Sequence, residues 1–407
     1  ISLHNQYTTG AAAGQAPGFE LDSSGRWTRK KTFDELPLCD RSSSGKVHPW
    51  RTRKLQALSL ADIYEGLALQ ACPEDSPAAA AASSMAAAID AELGLSTTPD
   101  GIQYNAETGE IIERSTERKL PTAAAKYLDK AERLARCAAW AEFERLPEGQ
   151  GLRLHDASFC RVRLCPMCQW RRSLKLGAQV RRVVERANAD HLAETGAPWR
   201  WLMVTFTVQN VPGPQLGAEI DRLHKAVNNL AKCARWRAAV RGWLRATEVT
   251  HNTDKKSRSY DTYHPHLHML LCVPAGYFSG KGYIRQKEWA DLWAHYARTD
   301  YTPIVDVRAI KAEDGRSVQD LPADEQAAAM GKACAEVSKY AAKPGDYIIA
   351  ADPQLSMRTV ALLDSMLDKR RMTSWGGVLK DIAKALLPDR RVGLMHGKLK
   401  PKEKAAV

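Results

Sequence analysis

His264, His266 and His268 alternate with Pro265 and Leu267 and run into the apolar stretch Met269-Leu270-Leu271-Cys272-Val273. On a strand successive side chains change face, so His266 and His268 share one face, about 7 Å apart, and Leu267 points the other way. Two imidazoles on a rigid floor can hold one metal ion, although an isolated pair of this kind also occurs as hydrogen-bonded surface histidines. A carboxylate is available as a third ligand. Gly242 to Thr250 is rich in β-branched and aromatic residues and reads as a strand, and Asn252 to Ser259 reads as a polar turn. A hairpin around that turn sets Glu248 opposite His266 on the same face, within the roughly 5 Å of a cross-strand pair. Two imidazoles and one carboxylate, with other positions open, suit a catalytic divalent cation better than a closed structural site. His264 shares the parity but precedes a proline at the expected start of the strand, so it stays outside the metal set.

A second constellation is Glu336-Val-Ser-Lys-Tyr340-Ala-Ala-Lys343-Pro344. The Ala- and Lys-rich run before it favours a helix, with Pro344 as its stop. That helix predicts Glu336, Tyr340 and Lys343 at i−4, i and i+3 on one face. A tyrosine phenol titrates near 10, so it becomes a nucleophile only with a base or a cation beside it; Lys343 and the metal are the cations at hand, and Glu336 is a group able to take a proton from a hydroxyl or a water. Taken alone, such a face also describes a solvated helix surface.

Cys160-Arg-Val-Arg-Leu-Cys165-Pro-Met-Cys168 has the spacing of a zinc knuckle. Three thiolates need a fourth ligand, for which Cys137 and His155 are the candidates. Arg171, Arg172 and Lys175 follow directly, so zinc would fold a small module that presents cations.

The chain carries 59 Lys and Arg against 47 Asp and Glu, a formal charge of +12. Its cations cluster at Arg171-Arg172, Arg181-Arg182, Lys255-Lys256, Lys369-Arg370-Arg371 and the Lys-rich tail, which agrees with DNA as a partner. Arg171, Arg172, Lys175 and His264 are the expected DNA contacts. Nine cysteines, an odd number, with one tight cluster indicate a reducing, cytoplasmic compartment rather than a disulfide framework. No apolar stretch approaches the ~18 residues of a membrane span, and the Ala78–Ala88 run is interrupted by Ser83-Ser84.

These motifs together resemble the HUH endonuclease superfamily and, within it, the single-tyrosine replication initiators of rolling-circle plasmids. Trp201-Leu-Met-Val-Thr-Phe-Thr-Val-Gln-Asn-Val-Pro-Gly213 looks like the first motif, His264 to His268 like the metal motif and Tyr340-Ala-Ala-Lys343 like the nucleophile motif. Glu336, one turn before the tyrosine, and Trp375-Gly-Gly-Val-Leu-Lys-Asp381 are also similar to the plasmid group. The resemblance covers roughly residues 125 to 385. It implies that His266, His268 and Glu248 hold Mg²⁺ or Mn²⁺, that Tyr340 attacks a phosphodiester of single-stranded origin DNA to leave a 5′-phosphotyrosine and a 3′-hydroxyl primer, and that Glu336 activates water or a strand end at closure. It further implies structural Zn²⁺, with Cys137 preferred as the fourth ligand and His155 in reserve, double- and single-stranded origin DNA, host helicase and DNA polymerase as partners, and no membrane. A single-strand transposase with the same residues, and a non-catalytic zinc-containing origin-binding protein, are the rival readings.

The expected fold is α+β: an antiparallel sheet with helices on one side, the HUH endonuclease fold, plus a zinc module and helical extensions. Residues 1–120, rich in Gly, Ser, Ala and Pro, are expected as a low-complexity region, extended or helical in short pieces. A zinc-binding module with a basic helix is expected over 121–195 and a catalytic domain over 199–350. The latter runs as strand 201–208, helix 215–240, strands 242–250 and 264–273, helix 285–298, strand 303–310 and helix 325–343. Residues 351–407 read as a helical segment to about 388 and a basic tail.

Overall fold

The computed structural model describes residues 49–71, 122–145, 152–311, 315–316, 318, 323–339 and 341–387, with four short strands. Those strands pair as two ladders, β1 (Phe19–Leu21) with β2 (Trp27–Arg29) and β3 (Leu95–Thr97) with β4 (Gln103–Asn105). Tyr340, the Ala78–Ala88 run and the Lys-rich tail lie outside the described residues.

The centre is a sheet in the order β11–β7–β10–β9–β12, antiparallel throughout: Val305–Ala309, Arg200–Phe206, Thr262–Val273, Gly242–Asn252 and Thr373–Gly377, with β8 (Val211–Pro212) pairing β10. Strict alternation along β10 divides two cores. Leu267, Met269, Leu271 and Val273 face α4 (Leu216–Leu230), α5 (Ala234–Ala239) and α6 (Gln286–Ala297), against Phe206, Trp236, Trp289 and Trp293. Each of those fully buried rings contributes about 1.5–3 kcal/mol. Leu270 and Cys272 face the other way, onto α3 (Pro166–Thr195), α7 (Ala323–Glu336) and α9 (Val378–Leu386). Helices therefore cover both faces of the sheet, not the single face that the sequence suggests.

Pro265 stands inside β10, a central strand, where a missing N–H normally breaks a ladder. The register explains it. His266 pairs with Glu248, and Pro265, one residue before, turns its nitrogen towards the other neighbour, where β7 ends opposite Leu267 and β8 begins opposite Tyr263. The proline occupies the break between those two partners.

Three elements differ from the sequence expectation. A helix of 21 residues, α1 (Trp50–Gln70), lies in the supposed low-complexity region; Leu60, Ala61 and Tyr64 are fully buried, and it packs on α2 (Thr122–Ala135), α3 and α8 (Pro353–Leu367). Helix α7 stops at Glu336, seven residues before the expected end. Its last turn tightens, with Ser338 N donating to Ala335 O and Ser338 Oγ to Cys334 O at 2.6 Å, a side-chain bond that competes with helix continuation. Finally, Trp375-Gly376-Gly377 is strand, not helix, and closes the β9 edge of the sheet. Both glycines are required: a Cβ at Gly376 would stand 2.1 Å from the Trp243 ring, and Gly377 adopts φ +56°. Among the described residues no helix is long and apolar enough to cross a membrane.

Candidate metal centre and nucleophile segment

The β9–β10 hairpin sets Glu248 directly opposite His266, with His268 two residues on and opposite Ala246. Glu248 Oε2 lies 3.6 Å from His266 Nε2 and 3.2 Å from His268 Nε2. Glu248 and His266 are buried, and one ligand atom from each of the three residues lies within 4.8 Å of the other two. Each ring is oriented from behind. His266 Nδ1 lies 3.2 Å from the His264 carbonyl, a contact that fixes the ring with Nε2 towards Glu248. His268 Nδ1 meets Thr205 Oγ1 at 3.2 Å, across the β7–β10 ladder. Two ring nitrogens and a carboxylate oxygen thus converge, a ligand set that fits a divalent cation. Burial would raise the Glu248 carboxyl, but hydrogen bonds from His266, His268 and Lys343 outweigh it and hold the group well below the usual carboxylate range.

Lys343 completes this group in a way the helix-face reading did not anticipate. It is not helical: preceding Pro344, it is extended (φ −76°, ψ 143°), and its Nζ reaches Glu248 Oε1 at 2.9 Å. The hydrogen bond to Glu248 raises the ammonium above its ordinary range. Glu336, at the end of α7, pairs with Lys339 at 2.6 Å and lies outside the metal cluster. Glu336 and Lys343 therefore do not share a helix face.

What positions the segment around Tyr340 is backbone hydrogen bonding. Val249 N, one residue beyond Glu248, donates to Ala341 O at 2.8 Å, so residue 341 docks on the outer edge of β9. The buried His251 holds the next turn, its Nδ1 on Asp346 O at 3.1 Å and its Nε2 on Asp261 at 2.9 Å. Tyr347, fully buried, donates to Leu164 O at 2.6 Å and accepts from Gln169 Nε2 at 3.3 Å. Tyr347 is locked into the core. Tyr340 itself is outside the described residues, one peptide unit from Ala341. His264 stacks on His266, with ring centroids 5.2 Å apart, and burial lowers its basicity.

Cys137, Cys160, Cys165 and Cys168 converge in a buried cluster. Sulfur separations of 3.6 Å link Cys137 with Cys165 and Cys168, and Cys160 with Cys168. A tetrahedral zinc with Zn–S near 2.3 Å sets its sulfurs about 3.8 Å apart, so the four fit that ion. Hydrogen bonds from Cys137, Cys160 and Cys165 hold the Cys168 thiol far below its ordinary range. His155 is exposed on β6 (Leu152–Ala157), 3.6 Å from the Glu142 carboxylate, and stands apart from the thiols. Cys165 is also the N-cap of α3, its sulfur accepting from Cys168 N, so one helix carries the knuckle at its start and packs further along on the face of the sheet that carries His266 and His268. Arg172 and Lys175 are exposed on its first turns, whereas Arg171 is half-buried, 5.4 Å from the Trp50 and Trp170 ring centroids.

Thr205 is the residue that sequence reading missed. It lies in the segment taken as the first motif, and the alternation of β7 against β10 was the signal that could have found it.

Comparison with known proteins gives a consistent answer. The family model described as "Replication protein" matches residues 151–406. A "Protein rep" of Bacillus amyloliquefaciens is 40% identical over 262 residues, 64% of this chain and 74% of its own length. A "Protein rep" of Streptococcus pneumoniae serotype 2 (strain D39 / NCTC 7466) is 32% identical over 351 residues, covering 86% of this chain and 83% of its own; a match of that extent reaches into the first 120 residues. One of Lentilactobacillus hilgardii is 34% identical over 277 residues, 66% of this chain and 81% of its own. No solved structure matches the chain. The extent of these matches shows that the chain belongs to the replication-protein family, the plasmid rolling-circle replication initiators that its motifs resemble.

Proposed function

We propose that this protein is a site-specific, single-stranded DNA endonuclease and strand transferase that opens and closes one strand of a plasmid origin, built on the HUH endonuclease fold and acting in the cytoplasm. The observation that carries the reading is the convergence of Glu248, His266 and His268 next to the backbone bond that ties Ala341 to β9. That bond brings the residue after Tyr340 alongside the strand that carries Glu248.

Glu248, His266 and His268 would hold Mg²⁺ or Mn²⁺, which when bound supplies Lewis-acid polarisation of a phosphodiester oxygen. The chain's own groups do the rest. The Tyr340 phenol gives its proton to a base, and its oxygen forms a bond to phosphorus as the bond from phosphorus to the 3′-oxygen breaks. The 3′-oxygen takes up a proton, leaving a 3′-hydroxyl primer and a 5′-phosphotyrosine. Because the phosphodiester is retained as a protein–DNA ester, the reverse attack rejoins strands without ATP. Lys343, on Glu248, neutralises charge beside the reacting phosphate and favours the phenolate. Glu336 is the candidate base for water or a strand end at closure. Zinc on Cys137, Cys160, Cys165 and Cys168 would brace α3, with Arg172, Lys175, Arg171 and His264 contacting origin DNA, double- and single-stranded, before host helicase and DNA polymerase extend the primer.

The relatives' printed names, rep and replication protein, favour this reading over a transposase. The test is cleavage of a single-stranded oligonucleotide spanning the plasmid's own origin. Cleavage with Mn²⁺ that disappears in EDTA and in His266→Ala and His268→Ala supports the reading; cleavage that persists in EDTA overturns it.

A further inference from the structure

On the other face of β9 lies a cation the proposed chemistry does not use. Arg245 is 4% exposed. Its Nη2 donates to Arg371 O at 2.9 Å, while its buried Nε meets no hydrogen-bond acceptor, and among the described residues no carboxylate pairs with it. Its surroundings are also basic. Arg371 is exposed beside it, and Arg370 is committed to Asp221 through two bonds, Nε to Oδ1 at 3.0 Å and Nη2 to Oδ2 at 2.7 Å. His224 on α4 turns Nε2 to Thr247 Oγ1 at 2.8 Å. Asp221 is thus taken up by Arg370, and Arg245 is left without a counter-charge among the described residues.

A buried charge without a counter-charge is among the costliest arrangements in a folded chain. Arginine does not escape by losing its proton: burial, then Arg371, pushes Arg245 down to about 10, so it is charged at neutral pH. His224 records the same field, pushed down to about 3 by burial and then by the charge of Arg245. The donor left over is a planar N–H on a side chain whose neighbours include the exposed Arg371 and the partly exposed His224. Guanidinium donors of this kind match the oxygens of a phosphate. The run Lys369-Arg370-Arg371 supplies the cationic rim that would hold a polyanion rather than a small free ion.

We propose that Arg245, rimmed by Arg371 and Arg370, receives a backbone phosphate of DNA on the face of the sheet opposite the metal triad. The protein then grips DNA through both faces: one cuts, and the other holds the flanking strand without reading its sequence. The inference rests on the DNA-binding part of the proposed function.

The experiment measures binding of a mixed-sequence fluorescent duplex across a KCl series, together with the melting temperature of the free protein. Arg245→Met should weaken binding about tenfold and flatten the log–log salt slope by about 0.9, one phosphate contact, while the free protein melts no lower than the wild type. Arg371→Ala, at an exposed position whose carbonyl bond to Arg245 the substitution keeps, should flatten the slope in the same direction. Sodium phosphate should raise the melting temperature above an equal ionic strength of chloride in the wild type and not in Arg245→Met. A wild-type slope in both variants, with Arg245→Met melting lower, would make Arg245 structural and overturn the inference. A phosphate-dependent rise in melting temperature with an unchanged DNA slope would assign the site to a free anion and overturn it equally. Wild-type protein that fails to bind the duplex would overturn the DNA-binding reading itself.

Discussion

Glu248 was readable because a strand has a fixed two-residue period: once the hairpin is granted, parity alone sets the carboxylate on the imidazole face, and the register His266–Glu248 follows. Thr205 was not readable, because its role depends on which strand flanks β10 on the other side, and that is a property of the sheet order. Thr205→Val keeps the shape and removes the oxygen that orients His268. It should cost about 10–100-fold in cation affinity or activity, read by Mn²⁺ titration of cleavage; an unchanged Mn²⁺ dependence would mean that His268 needs no such support. The two acidic residues should separate. Glu248→Ala should abolish every cleavage, since the cation acts in both opening and closing steps, whereas Glu336→Ala should still nick but accumulate covalent adduct or run-on multimers in a plasmid assay. Initial nicking lost as completely as in Tyr340→Phe would instead make Glu336 the base for the tyrosine.

Elements carry the next level of control. The sequence suggested a continuous helix to Lys343, and that failed for a local reason: Ser338 bonds back to Cys334 O, and Pro344 holds Lys343 extended. The consequence favours function, because a segment released from helix can lend its carbonyl at Ala341 to β9. The knuckle spacing was informative, and Cys137, preferred over His155, does join the cluster; spacing alone could not choose it, because it arrives from the end of α2. Cys165→Ser removes a thiol and alters the N-cap of α3. It should lose zinc and lower the melting temperature, because structural zinc contributes directly to stability; full zinc occupancy by elemental analysis would contradict the assignment of all four cysteines as ligands. Helix α4 offers a pH test. His224 is held at about 3, far below its ordinary value near 6.5. Its stabilising effect is therefore complete above about pH 6.5 and lost as pH falls towards 3, where the unfolded chain binds a proton that the folded one resists. His224→Gln should flatten that part of the stability profile in denaturant melts, and a profile identical to the wild type would remove His224 as its cause.

At the scale of the whole molecule, composition misled. A region rich in Ala, Ser, Gly and Pro contains α1, whose Leu60 and Tyr64 share one core with the zinc knuckle, Tyr347 and α8. Sparse apolar residues concealed a buried face, because alanines such as Ala57 and Ala61 let helices approach closely. Leu60→Ala should cost about 2–5 kcal/mol in denaturant unfolding; a loss below about 0.5 kcal/mol, the usual range for surface substitutions, would mean that α1 is an appendage. The same core joins the cysteine knuckle to the segment after Ala341 through Tyr347, and it reaches the sheet at Val249 and Tyr263. The central claim is nevertheless chemical and local. Its most direct measurement is mass mapping of the covalent product formed when the protein meets single-stranded origin DNA and Mn²⁺. The account predicts a nucleotide attached through a 5′-phosphate to Tyr340, and no adduct in Tyr340→Phe. An adduct mapped to any other residue, or one that persists in Tyr340→Phe, would contradict it.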